Sequence, residues 1–175
     1  SSDLATFNFT FQVDTLWQYS GDTMYFVVRN AATMLAAVNT IASLGDGDYV
    51  IALATDVVMP PSTDAVLRFG CGHTTVLGCG HTIRFQPEDG ASACIIVEGR
   101  DTTLSLGSGL VGDELTICGR KPSGNEDYSP LLLVKNGAVE IYEGTTLEGH
   151  QSGHTSGGAL RVQGGTVSMF GGTIR

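Results

Sequence analysis

Two phrases, Cys71-Gly72-His73 and Cys79-Gly80-His81, place a thiol and an imidazole two residues apart. In an extended backbone such residues share a face, and together the two phrases would supply a tetrahedral Cys2His2 metal set. The spacing is not that of a zinc module, however, and Gly78-Cys79-Gly80-His81-Thr82-Ile83 also reads as a tight corner with Cys79 in a small-residue slot. A metal site, a disulfide through Cys71 or Cys79, and reduced structural thiols are the three readings; the last is the expectation for this chain, as it is for Cys94 and Cys118. No cofactor is expected, and calcium finds no dedicated ligand phrase. Asp101, Asp113, Glu114, Glu140, Glu143 and Glu148 form no Asp-Asp pair. Glycoside hydrolysis needs two carboxylates at a set separation, which this pattern does not suggest, so Glu140, Glu143 and Glu148 read as a solvated face. His150, Gln151 and His154 read as a solvated corner. Tyr142 and Phe170 occupy equivalent places in a repeat. Facing outward they would form an aromatic strip able to bind sugar rings; facing inward, a packed ladder.

That repeat is what must position all of these groups. Leu132 to Gly144 is answered by Leu160 to Gly172, with Val134 matching Val162, Val139 matching Val167 and Ile141 matching Met169 (162 − 134 = 28). A period in the twenties, made of short apolar strands between glycines, signals units that bury their apolar faces by stacking on one another. Extended backwards, the 28-residue register pairs Phe69 with Val97, Val76 with Leu104, and Thr74 and Thr75 with Thr102 and Thr103. Leu106 and Ile141 lie 35 apart (141 − 106 = 35), and the excess is assigned to an inserted loop over residues 119–128. Inserted loops carry binding residues, so Arg120, Lys121, Asn125, Glu126, Asp127 and Tyr128 join Tyr142 and Phe170 as ligand-binding candidates.

Before the repeats, residues 4–13 alternate as a strand, with Phe7, Phe9, Phe11 and Val13 on one side. A second strand, Met24 to Val28, follows the Ser20-Gly21-Asp22 turn signal and predicts an antiparallel pair. One helix follows, capped by Asn30, carrying Met34, Leu35, Val38, Ile41 and Ala42 on a stripe, and ended by Gly45. It precedes the first repeat strand, Tyr49 to Leu53, and is expected to cover the open end of the stack. The division is residues 1–48, strands plus capping helix, and 49–175, repeats, within one structural domain.

With 9 basic against 18 acidic residues among 175 and a formal charge of −9, nucleic acid and anionic membranes are disfavoured as partners. No apolar run predicts membrane insertion. Cations, neutral glycans and proteins remain. The 24 glycines and 15% charged residues indicate turns and tight stacking, and few lysines among many Thr, Ser and Gly suit an extracellular bacterial protein.

Units of about 28 residues with several short strands predict a parallel β-helix, not a leucine-rich or helical repeat. The phrases Leu77-Gly-Cys-Gly-His-Thr-Ile83, Gly157-Gly-Ala-Leu-Arg-Val162 and Gly164-Gly-Thr-Val-Ser-Met-Phe-Gly-Gly-Thr-Ile174 resemble the right-handed β-helix repeats of large bacterial cell-surface proteins. The resemblance covers residues 28 to 175 and extends to the order of helix, Gly-Asp turn and strand at Tyr49 to Val57. It implies an all-β solenoid, extracellular or on the cell surface, acting as a non-catalytic adhesin-like module that binds a glycan or protein surface or associates through its C-terminal end. The final repeat phrase runs up to Arg175 without a following helix, so continuation in a longer protein or cover by another chain is expected. The alternative is a polysaccharide lyase or glycoside hydrolase on the same scaffold. Lyases of this fold use calcium-holding acids with a basic residue, and its glycosidases use clustered Asp near Gly-His-Gly. Here Gly72-His73 and Gly149-His150 lack the following glycine.

Overall fold

The computed structural model describes residues 17–86, 93–119, 130–149 and 158–175. Strands β1 (Trp17–Ser20) and β2 (Thr23–Val28) form an antiparallel hairpin over Gly21 and Asp22. The hairpin partner of β2 is thus nearer the turn than residues 4–13, which lie outside the described residues together with Phe7, Phe9, Phe11 and Val13. Helix α1 (Ala31–Leu44) begins in a capping box, Asn30 Oδ1 accepting the Thr33 N–H at 2.9 Å and Thr33 Oγ1 accepting the Asn30 N–H at 3.0 Å. At its other end the Gly45 N–H closes on Ile41 O, with φ of 86°, a left-handed value that suits glycine.

The chain then makes successive circuits of three strands. The first is β3 (Asp48–Leu53), β4 (Val57–Met59) and β5 (Leu67–Phe69); the second β6 (His73–Leu77), β7 (His81–Phe85) and β8 (Ile95–Val97). The third is β9 (Thr103–Leu106), β10 (Leu115–Cys118) and β11 (Leu132–Val134); the fourth β12 (Ala138–Ile141), β13 (Thr145–Glu148) and β14 (Leu160–Val162). β15 (Thr166–Met169) and β16 (Thr173–Ile174) begin a fifth. Each strand pairs in parallel with its counterparts in the adjoining circuits. Among the described residues the result is an all-β architecture of three sheets and one α-helix. The first sheet has seven strands in the order β1-β2-β3-β6-β9-β12-β15, the second five (β4-β7-β10-β13-β16) and the third four (β5-β8-β11-β14). This rotation through three sheets is compatible with the expected solenoid. β2 pairs with β3 from Thr23–Asp48 to Val28–Leu53, so the first sheet continues from the hairpin into the repeats.

Alternation makes the core. In the first sheet Ile51, Val76, Leu106 and Ile141 pair in succession, and in the third Phe69, Val97 and Val134; all seven are almost wholly buried. Such parallel ladders bury one side chain per strand per level, which suits Val, Ile and Leu. Helix α1 packs against β2, β4 and β5, burying Met34, Ala37, Val38 and Ile41 over the start of the first circuit.

Two expectations need correction. Phe69 does pair with Val97, 28 residues on, but Val76 pairs with Leu106 and Thr74 with Leu104, a spacing of 30 (106 − 76 = 30). Thr102 and Thr103 therefore do not answer Thr74 and Thr75. The difference arises in the corner 98–102, which holds five residues where 70–72 and 135–137 hold three. A slip of two residues leaves every side chain on its own face, so the apolar pattern cannot distinguish the two registers. The 35-residue spacing between Leu106 and Ile141 is observed, but most of its excess is not in 119–128. Five of the seven extra residues form the corner 107–114, eight residues long where 54–56, 78–80, 142–144 and 170–172 have three.

Candidate functional site

Cys71 and His73 lie at the start of β6, and Cys79 and His81 lie past its other end, in the next corner and strand. From His73 to Leu77 the strand spans about 13 Å, which holds the two Cys-Gly-His phrases apart. The Cys2His2 set is therefore not assembled, and among the described residues no three His, Cys, Asp or Glu side chains converge. His73 Nδ1 faces Asp48 Oδ1 at 3.6 Å, and His81 Nδ1 faces Asp56 Oδ1 at 3.4 Å. None of the cysteines forms a disulfide. Burial, then the Asp46 charge, raises the Cys71 pKa; burial, then Asp113, raises that of Cys79; burial is also the leading cause of the raised value at Cys118. All three are thus poorer thiolates than a free cysteine.

On the outer face of the first sheet a polar line crosses the strands. His73 Nε2 lies 3.0 Å from Ser105 Oγ, and Ser105 Oγ donates to Glu140 Oε2 at 2.9 Å. Glu140 Oε2 also accepts the Tyr142 hydroxyl at 3.0 Å, and this bond is the main reason the Tyr142 pKa is raised. The order Asp48, His73, Ser105 is that of a nucleophilic triad, but the geometry opposes that chemistry. Because the Ser105 proton is directed to Glu140, the His73–Ser105 bond needs a proton on Nε2, the reverse of a general base. Ser105 is only 3% exposed and sits in β9, paired on both edges, so its neighbouring amides are engaged in ladders and none is left to hold an oxyanion. Nor do carboxylates gather among the described residues. Glu140 lies on the first sheet, while Glu148, on the second, accepts from Arg175 Nε at 2.8 Å, which lowers its pKa.

The feature that departs from the repeat is the corner 107–114. Its anchor is Asp113, a nearly buried carboxylate. Asp113 Oδ2 accepts the Ser108 N–H at 2.7 Å and the Ser108 hydroxyl at 2.6 Å; Oδ1 accepts the Cys79 N–H of the preceding circuit at 3.1 Å. The Gly80 N–H reaches Glu114 O at 2.9 Å. Gly78 has no room for a side chain there, since a β-carbon would sit 2.2 Å from Glu114 O. So clamped, the loop lifts Leu110 and Val111 into solvent at 72% and 105% exposure.

Below the loop Tyr142 and Phe170 face outward and stack on each other, ring centroids 5.1 Å apart at 28°. They form a ladder, but an external one. Because each ring covers a face of the other, they do not lie side by side as a platform for sugars. Arg120, Lys121, Asn125, Glu126, Asp127 and Tyr128 lie outside the described residues, as do His150, Gln151 and His154. The sequence reading missed Leu110, Val111 and the anchoring role of Asp113. Glycines at 107, 109 and 112 around an apolar pair were the available signal, but apolar residues between glycines are also how this chain writes its strands.

Compared with protein families, curated proteins and solved structures, the chain matches none. Among the described residues no helix is long and apolar enough to cross a membrane.

Proposed function

We propose that this chain is a non-catalytic module of a right-handed parallel β-helix, extracellular or on a cell surface, that works like an adhesin by displaying binding residues from a rigid stack. Regular rotation through three parallel sheets supports the helix, and the strong preference of parallel crossovers supports its hand. On this reading α1 is the cap of the first circuit. The observation that carries the functional part is the clamped corner 107–114, which holds two apolar side chains away from the core at no benefit to the fold.

The test combines location and chemistry. Antibodies raised against the folded chain are expected to label intact source cells or their medium, and the purified protein is expected to leave polyuronates and neutral glycans uncleaved. Labelling only after permeabilisation, or sustained cleavage, refutes the reading.

A further inference from the structure

The edge where the first sheet turns into the second consists of the corners 54–56, 78–80, 107–114, 142–144 and 170–172. They contain Asp56, Asp113, Glu114 and Glu143, and no lysine or arginine. Asp113 is taken up inside the loop, whereas Glu114 and Glu143 are exposed. The same edge carries the apolar ridge. A β-carbon at Gly109 would lie 3.7 Å from Tyr142 Cδ1, so the rising limb of the loop rests on the tyrosine ring. Tyr142 in turn stacks on Phe170, itself 63% exposed. Leu110, Val111, Tyr142 and Phe170 thus run as one crest flanked by the carboxylates of Glu114 and Glu143, to which no cation is paired among the described residues.

We infer that this edge docks a protein segment that carries apolar side chains beside lysine or arginine. The inference rests on the display reading and names its partner class. Exposed apolar side chains on a rigid support are anchors whose burial supplies affinity, and they lose little freedom on binding because Asp113 already holds the loop. The acidic flanks steer and select a basic border. A second copy meeting the first edge to edge would bring like charges together, nucleic acid is disfavoured by the same charge, and Tyr142 and Phe170 spend one face of each ring on one another rather than offering a flat platform to sugars.

The experiment selects random peptides displayed on phage against the whole chain, with two variants as counter-targets: Leu110→Ser with Val111→Ser, and Glu114→Lys with Glu143→Lys. All four positions are exposed, so denaturation midpoints are expected to be unchanged. Enriched peptides should carry aliphatic or aromatic anchors beside Lys or Arg, bind both variants at least about tenfold more weakly, and weaken as salt rises. Selection yielding no enriched peptide, enrichment without basic residues, or equal binding to the variants overturns the inference. A glycan array probed with the wild type and both variants is the second arm. Retention of the wild type that disappears in the Leu110→Ser, Val111→Ser variant would make the ligand a glycan, overturning the protein partner but not the display reading; cleavage of arrayed glycans would overturn the display reading itself.

Discussion

Replacing Asp113 by alanine removes one acceptor group from three donors at once: the Cys79 N–H, the Ser108 N–H and the Ser108 hydroxyl. The hydroxyl can turn elsewhere, but the two amides lose their fixed partner. An amide left without its acceptor costs about 1–3 kcal/mol, and because Cys79 is exposed and Ser108 half-buried the lower end applies to each. Asp113→Ala is therefore expected to cost about 2–3 kcal/mol. Asp113→Asn keeps one oxygen. Turned toward Ser108, it aims its NH2 at the Cys79 N–H, so one amide is lost and the cost falls to about 1–2 kcal/mol. Ser108→Ala, which keeps both amide bonds, is expected to cost about 0.5–1 kcal/mol. With a urea m-value of roughly 2 kcal/mol/M, the alanine variant loses about 1 M in midpoint and the asparagine variant about half that. Hydrogen exchange should localise the change to the Cys79 and Ser108 amides. An alanine variant within about 0.5 kcal/mol of wild type, or an asparagine variant as costly as alanine, refutes the clamp.

Equivalent repeat positions should differ in cost by burial alone. Ile141→Ala, at a wholly buried site, is expected to lose about 2–5 kcal/mol, and Met169→Ala, half exposed at the paired position, under about 1 kcal/mol by the same denaturation assay. Among the described residues the buried Thr74 hydroxyl has no hydrogen-bond partner, so Thr74→Val should stabilise by about 1 kcal/mol; a loss of stability would mean that the hydroxyl has a partner, such as a water. Glu148 titrates below its ordinary 4.5 because Arg175, then Cys118, donate to it, so its contribution is present above pH 4.5 and is lost as pH falls through the lowered folded value. Acid titration of Tm should show a shallower loss in Glu148→Gln than in wild type. Tyr142 titrates above 10 through its bond to Glu140, so its contribution is full below pH 10 and is lost as pH rises through the folded value; Glu140→Gln should bring the phenolate absorbance transition back toward 10.

Much of the fold was legible because its causes are local. Asn30 and Gly45 mark the two ends of α1, and the alternation in Val139-Glu140-Ile141 assigns faces without reference to any neighbour. The 28-residue spacing is also observed between β5 and β8, β11 and β14, and β12 and β15. Register between β6 and β9 was not legible, because alternation has a period of two and is blind to a slip of two.

The candidate site was less legible, for a different reason. Leu110 and Val111 have the composition of a core strand, and only the return of the chain at Asp113 to an amide 34 residues earlier makes them the tip of a loop. Likewise Asp48, His73 and Ser105 have the residue types of a catalytic triad, and what counts against one is the proton direction set by Glu140, in another circuit. By itself the sequence determined which side chains point inward, where the helix begins and ends, and that units repeat, since these follow from backbone period and capping chemistry. Tertiary structure decided which circuit meets which and at what offset, and with that which carboxylates are engaged and which apolar groups are left in water, because those depend on contacts between residues some 30 positions apart that no local pattern encodes.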